Sequence, residues 1–415
     1  MVMNILIFAA GLALYALSGW AGLAYLTAAT ALSYGIGLLI PRRKWLMWVG
    51  VIANAGILLY IKLLPITNLG FIEVLGISYF SLQIIAYMVD VYKGKYPPQR
   101  NFLRYALYIT YFPHLSLGPI ERYDRFMAAL DNRRITGNGI LGGAARVAWG
   151  GMKLLLIDAR VSVAITAVVS GGLNGVYALL AMVLYSLKLY VNFSGGIDLV
   201  MGASEMLGMK LTENFDSPYL SQSFQEFWRR WHITLGDWLK NYVYIPLGGN
   251  RKGKLRKNVN LVLTFLVSGI WHGIHYLLWG VINGIFVAIG TKLQTKWKHL
   301  NRVCTFLLVS VLWSFFVWPD TLSALQNIGS VFTVFNYGQF DYALLGLTVT
   351  DWIVVAVASA VLWCYDVYKA KLNPLFEKTP AWGKVAVICG LGLAVLVFGR
   401  YGLGFDAAGF VYGGY

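Results

Sequence analysis

Two histidines, His232 and His272, lie forty positions apart in a chain of 415 residues. His232 closes the run EFWRRWH, and His272 sits in GIWHG at the end of an apolar stretch. A neutral imidazole can take a proton from a hydroxyl, and a second can orient a reactant or stabilise the charge that develops. His272 is the sharper candidate because an ionisable group at membrane depth is costly unless paired or hydrated. Its ordinary reading is a histidine bonded to a carbonyl where a helix ends at Gly273. The small residues Ser268 and Gly269 one turn earlier, with Trp271 and His275 beside it, favour chemistry instead. For His232 the ordinary reading is stronger, since interfacial helices often carry a histidine among tryptophans. His114 reads as lining a cavity or satisfying freed backbone groups, and His275 and His299 as interfacial and loop residues.

Other chemistries find little support. The sequence HGIH lacks a third convergent ligand, so no metal site is expected. There is no phosphate-binding loop, dinucleotide fingerprint or nucleophile elbow. Asp90 and Asp158 read as ion-pair partners inside a helix bundle. Lys188 and Asn192, one helical turn apart, read as facing one wet cavity. Arg251, Lys252, Lys254, Arg256 and Lys257 form the densest basic cluster. The cysteines Cys304, Cys364 and Cys389 all fall in apolar runs and are expected to pack there, without disulfide or metal spacing.

The elements that must position these groups belong to lipid. Hydrophobic residues make up 58% of the chain and charged residues 13%, with repeated runs near bilayer-spanning length. An all-α, polytopic membrane protein follows, with no cleavable signal pattern at its start. The net charge of +16 resides mainly in short loops, which reports orientation first and a preference for anionic lipid or acidic partners second. No soluble basic domain is present to bind nucleic acid.

Spans are expected at 2–18, 21–40, 45–62, 71–92, 143–170 and 173–193. Further ones are expected at 303–318, 347–367 and 383–400, with a partial helix at 322–334. Thr110 to Phe126, with Pro113 and Gly118-Pro119, is too broken to span and reads as re-entrant or interfacial. The 173–193 span should stop at Ser194-Gly195-Gly196, with a short helix starting at Asp198. Ser223 and Glu226 have capping-box spacing. They should open an interfacial helix carrying Trp228, Trp231, Leu235 and Trp238 on one face. Residues 258–290 read as an apolar hairpin between basic loops. That places His272 fifteen residues past Lys257, about 20 Å from a cytoplasmic loop if helical.

On these residues the chain resembles the membrane-bound O-acyltransferase family. It is most similar to the bacterial branch that holds the alginate O-acetylation and teichoic-acid D-alanyl transfer proteins. The carrying blocks are GISYFSLQIIAYMVDVYKGK (76–95), YFPHLSLGPIERY (111–123) and LYVNFSGGIDLVMGASEMLGMKLTENFDSPYLSQSF (189–224). EFWRRWHITLGDWLKNYVYIPLGGNR (226–251) and GIWHG (269–273) complete them, and the pairing of FWRRWH with a later WHG is the most specific.

The resemblance implies one integral-membrane domain over 1–415, with its motif-bearing core at about 76–290. It implies about ten to twelve membrane helices, with re-entrant and interfacial ones, in a ring around a central funnel or tunnel. It makes His272 the essential histidine and His232 its partner. Trp271, Trp231, Lys188, Asn192, Arg251, Lys252 and Lys254 become candidates for the tunnel or donor site. The branch more usually has aspartate at position 192 and glutamine at 188, and its tail is more aromatic than FVYGGY.

The implied activity is transfer of an acyl group, acetyl before others, from a cytoplasmic thioester. The donor would be acetyl-coenzyme A or a loaded acyl-carrier protein, used as co-substrate with no bound cofactor. The acceptor would be a hydroxyl of an extracytoplasmic glycan or of a hydrolase-like partner acetyltransferase, at a bacterial cell membrane. D-alanyl transfer toward teichoic acid is the near alternative. Solute transport and a non-catalytic lipid-binding scaffold are the distant ones.

Overall fold

A computed structural model describes residues 2–67, 74–114, 117–290 and 294–401. The first positions of the expected 71–92 span, the centre of the broken segment and the FVYGGY tail lie outside the described residues. Among those described there is helix, turn and loop but no strand. Backbone groups in lipid must be satisfied within their own segment, and helices achieve this.

The chain opens with α1 (Val2–Ala16), α2 (Trp20–Leu39), α3 (Leu46–Thr67) and α4 (Ile77–Tyr92). The broken segment then appears as α5 (Phe102–Thr110), a 3-10 turn Phe112–His114, a loop and α6 (Tyr123–Asp131). Next come α7 (Gly137–Met152), a π-helical turn Lys153–Asp158, α8 (Ala159–Ser170) and α9 (Val176–Met206). Two short helices follow, α10 (Phe224–Arg230) and α11 (Ile233–Leu239), and then the hairpin of α12 (Gly253–His272) and α13 (Leu277–Ile289). The chain closes with α14 (Lys298–Leu312), α15 (Ser314–Val317), α16 (Thr321–Thr333), α17 (Val349–Lys378) and α18 (Ala381–Phe398).

Among the described residues five helices are long and apolar enough to cross a membrane, and four shorter apolar helices join them. Their burial sorts centre from rim. The most apolar window of α9 is 67% buried, against 11% in α18 and 17% in α17. The rim helices turn Trp20, Trp48, Ile52, Trp363 and Leu396 outward, as a lipid-facing surface requires. The three cysteines also lie exposed on such faces rather than in the packed interior.

Two local expectations are corrected. α9 runs unbroken for 31 residues through Gly195-Gly196. Those glycines serve contact rather than termination: a Cβ on Gly195 would stand 3.1 Å from the Gly150 carbonyl oxygen, and one on Gly202 would meet that of Gly143 at 2.5 Å. The expected single interfacial helix is instead two short ones, because the chain leaves helical geometry at Trp231-His232.

The hairpin is fitted in the same way. A Cβ on Gly269 would meet the Tyr276 carbonyl oxygen at 2.6 Å, and one on Gly280 that of Phe265 at 2.5 Å. Along α12, Asn260, Thr264 and Ser268 recur every fourth residue and are buried, leading to His272 on the same helical face.

Candidate active site

The kink between α10 and α11 begins with a capped helix. Ser223 Oγ accepts from the Glu226 amide at 3.1 Å, and the Glu226 carboxylate accepts from the Gln222 amide at 2.8 Å. After Arg230 the backbone turns extended at Trp231 and left-handed at His232, with φ 45° and ψ 55°. Ser217 and His232 are the two non-glycine residues with positive φ among those described. Such backbone costs roughly 1–3 kcal/mol and persists only where its surroundings over-determine it.

Those surroundings are a segment running alongside. The Asp216 amide donates to the Arg230 carbonyl at 2.9 Å, and the Ile233 amide to the Asn214 carbonyl at 2.9 Å. Asn214 Oδ1 accepts from the Thr234 amide at 3.1 Å and from its hydroxyl at 2.9 Å, and lies 3.1 Å from His232 Nδ1. Thr234 Oγ1 in turn accepts from the Ile120 amide at 2.9 Å. Beside it, the buried Glu121 carboxylate accepts from the Thr212 hydroxyl at 3.0 Å and from the Thr212 amide. Burial raises that carboxyl above its usual range. The broken segment therefore buttresses the kink that carries His232.

The His232 ring is 4% exposed and stands edge-on to Phe193 of α9 at 4.8 Å. Burial holds its imidazole far below the usual histidine range, at about 3. His272 is the last residue of α12, and Gly273 at φ 140° lets the chain turn away. It is half-buried among Trp279 and Phe316, each at 5.5 Å, and Tyr276 at 6.2 Å, all edge-on. Trp271 joins the two histidines: its ring lies 6.3 Å from that of His232 and 4.7 Å from that of His272. The indole N–H groups of Trp228, Trp271 and Trp279 are buried without a hydrogen-bond partner, whereas buried indoles usually find one.

The remaining candidates fall elsewhere. Trp231 stacks on Phe227 at 5.4 Å and lies 5.2 Å from Trp313, in the aromatic wall behind the kink. Lys188 reaches Asp158 at 3.4 Å and the Ser162 hydroxyl at 2.6 Å, and Asn192 Nδ2 donates to Asp158 at 2.8 Å. Both thus tie α9 to the end of the π-helical turn. At the other end of that turn Lys153 donates to Asp198 at 2.7 Å, and Arg146 pairs with the same carboxylate at 2.9 Å. Asp90 pairs with Arg122 at 3.0 Å and Lys95 at 3.3 Å. Arg251, Lys252 and Lys254 are exposed at the start of α12, whose 20 residues separate them from His272 by about 30 Å. His275 and His299 are exposed, and His114 is buried edge-on to Tyr111 at 5.2 Å, where burial lowers its imidazole to about 4.

Sequence reasoning did not single out Asn214 or Thr234. Asn214 lies eighteen residues from His232, with no periodicity to link them.

The profile of the membrane-bound O-acyltransferase family matches residues 99–320, more than half of the chain, and spans the kink, the hairpin and both histidines. The chain belongs to this family. It is therefore an acyltransferase and a multi-pass membrane protein. It is 34% identical to a probable alginate O-acetylase of Pseudomonas fluorescens, over 91% of this chain and 79% of that protein. It is 33% identical to a peptidoglycan O-acetyltransferase of Helicobacter pylori, over 69% of this chain and 64% of that one. A teichoic acid D-alanyltransferase of Streptococcus thermophilus is 28% identical, over 62% of this chain and 67% of its own length.

Proposed function

We propose that this acyltransferase carries an acetyl group from a cytoplasmic thioester, acetyl-coenzyme A, to a hydroxyl on the other side of a bacterial cell membrane. The acceptor is a cell-surface glycan or a hydrolase-like partner acetyltransferase that passes the group on. The observation that carries this reading is the packing of both imidazoles against the single indole of Trp271. Higher identity to named O-acetylases than to a named D-alanyltransferase favours acetyl.

A thioester is already activated, so the site needs a base for the hydroxyl and donors for the developing oxyanion. His272 takes the hydroxyl proton as its oxygen attacks the thioester carbon. The carbon–sulfur bond then breaks, and the departing thiolate recovers the proton. The unpartnered indole N–H of Trp271 is suited to the oxyanion. Arg251, Lys252 and Lys254 draw in the donor's phosphates, an attraction that salt screens.

The test offers radiolabelled acetyl-coenzyme A and a D-alanyl-loaded carrier protein in parallel to the purified chain with glycan acceptors. Transfer from the acetyl donor, lost in His272→Ala, supports the reading. Transfer from the loaded carrier alone replaces it with D-alanylation. No transfer from either donor would overturn the reading.

A further inference from the structure

We infer that Asn214 is a positioning residue that fixes His232 as the Nδ1–H tautomer and leaves Nε2 as a bare acceptor facing the acyl-transfer site. This rests on the reaction proposed above for its catalytic meaning, but its structural core is independent of it.

The argument is one of counting donors. The Thr234 backbone amide can only donate, and its partner is the side-chain oxygen of Asn214 at 3.1 Å. That contact settles which end of the Asn214 amide points at the kink, since a flipped NH2 would face another N–H. The Thr234 hydroxyl already accepts from Ile120, and its own hydrogen is directed to the same oxygen at 2.9 Å. His232 Nδ1 lies 3.1 Å from an atom now known to be an acceptor, so Nδ1 must carry the hydrogen. In a neutral imidazole the other nitrogen then has a lone pair and no hydrogen. That nitrogen, Nε2, is buried with no partner.

Among the described residues the ring meets Phe193 from α9, Trp271 from α12 and Asn214. None of these titrates, and the Glu121 carboxylate beyond Thr234 is held by Thr212 rather than by the ring. The left-handed backbone at His232 is held by the same segment through the Ile233–Asn214 hydrogen bond, which locks the ring's origin as well as its orientation. A buried acceptor beside Trp271 is suited to receive a hydrogen bond from a second hydroxyl of the glycan acceptor, which aligns the attacking one and leaves its single hydrogen for His272. An Nε2–H tautomer would present a donor there and reverse that hydrogen bond, turning the glycan away from its aligned position.

The decisive measurement is nitrogen-15 spectroscopy of histidine-labelled wild-type protein in lipid nanodiscs, with the His232 signals assigned by their loss in His232→Gln. Protonated Nδ1 and bare Nε2 are expected; protonated Nε2 overturns the proposal, whether or not the protein transfers acetyl. Kinetics supply the second arm. Asn214→Leu should lower kcat for acetyl transfer by about a hundredfold. Its KM for acetyl-coenzyme A should stay within about threefold of wild type. Asn214→Asp keeps an acceptor for all three donors, so it should restore turnover to within about tenfold of wild type. A carboxylate beside the ring also favours imidazolium, so the acid limb of the kcat profile should move to higher pH. If Asn214→Asp is as impaired as Asn214→Leu while both remain monodisperse, the positioning role is wrong. If wild type shows the expected tautomer but no acetyl transfer, the proposed function fails and the tautomer assignment stands.

Discussion

Around His232 the polypeptide leaves the helix, takes a left-handed residue and ties a ring nitrogen to Asn214, whereas at His272 a helix simply ends inside a collar of aromatic rings. Both imidazoles meet at Trp271. The first is set by directional hydrogen bonds and strained backbone, and the second is packed by aromatic rings and by glycines that let α12 and α13 close together. A group that must align a reactant gains from the first kind of restraint. A group that must give and take a proton gains from the second, which holds its ring half-buried among edge-on aromatics.

The sharpest way to break this comparison is to remove each ring. His272→Ala should lower acetyl transfer by about 10³-fold or more while the protein still purifies as a folded, monodisperse species. Near wild-type turnover there would end its assignment as the base. His232→Ala should retain more, losing about 10²-fold. Because burial holds the His232 imidazole at about 3, that ring stays neutral from about pH 5 to 8, and the deficit should be constant across the range. A deficit that disappears at one end of a kcat profile would show that His232 titrates during turnover.

The packing side of the comparison is tested by Gly280→Leu. Its side chain would collide with the Phe265 backbone and should destabilise the hairpin by about 1–3 kcal/mol in thermal unfolding in detergent. Backbone strain comes next. His232→Val should be less stable than His232→Asn by about 1–2 kcal/mol, because asparagine tolerates left-handed geometry and a β-branched residue does not. The same pair at His272, where the backbone is helical, should differ by no more than about 0.5 kcal/mol. Equal ordering at both positions would erase the distinction. The smallest effect belongs to the loop about 30 Å away. Replacing Arg251, Lys252 and Lys254 with glutamine should raise the donor KM by about three- to tenfold, flatten its salt dependence and leave kcat unchanged.

Much of this arrangement was legible from residue types. The break around Pro113 and Gly118-Pro119, the cap at Ser223 and the helix ending at His272 all follow from local chemistry that needs no partner. Gly195-Gly196 misled because glycine signals either a helix end or a close neighbour, and only the presence of Gly150 across the seam decides. The kink at His232 was hidden for a similar reason. The apolar spacing from Trp228 to Trp238 suits one continuous helix, and the competing pull comes from Asn214 and Asp216, brought alongside by the fold. Lys188 and Asn192 do share a face, but what they meet there is Asp158, a partner thirty or more positions distant.

The buried row of Asn260, Thr264 and Ser268 on α12 has a consequence for biogenesis. Insertion machinery weighs apolarity segment by segment, and among the described residues α12 is not one of the helices apolar enough to partition into lipid alone. Its neighbour, the apolar stretch Ile274–Ile289, is strongly hydrophobic, and the glycine contacts mate the two closely. The pair is therefore expected to enter the bilayer as a unit. On that order His272 takes its place only once Leu277–Ile289 has been made, so the assembly of this half of the site is expected to be timed by translation itself.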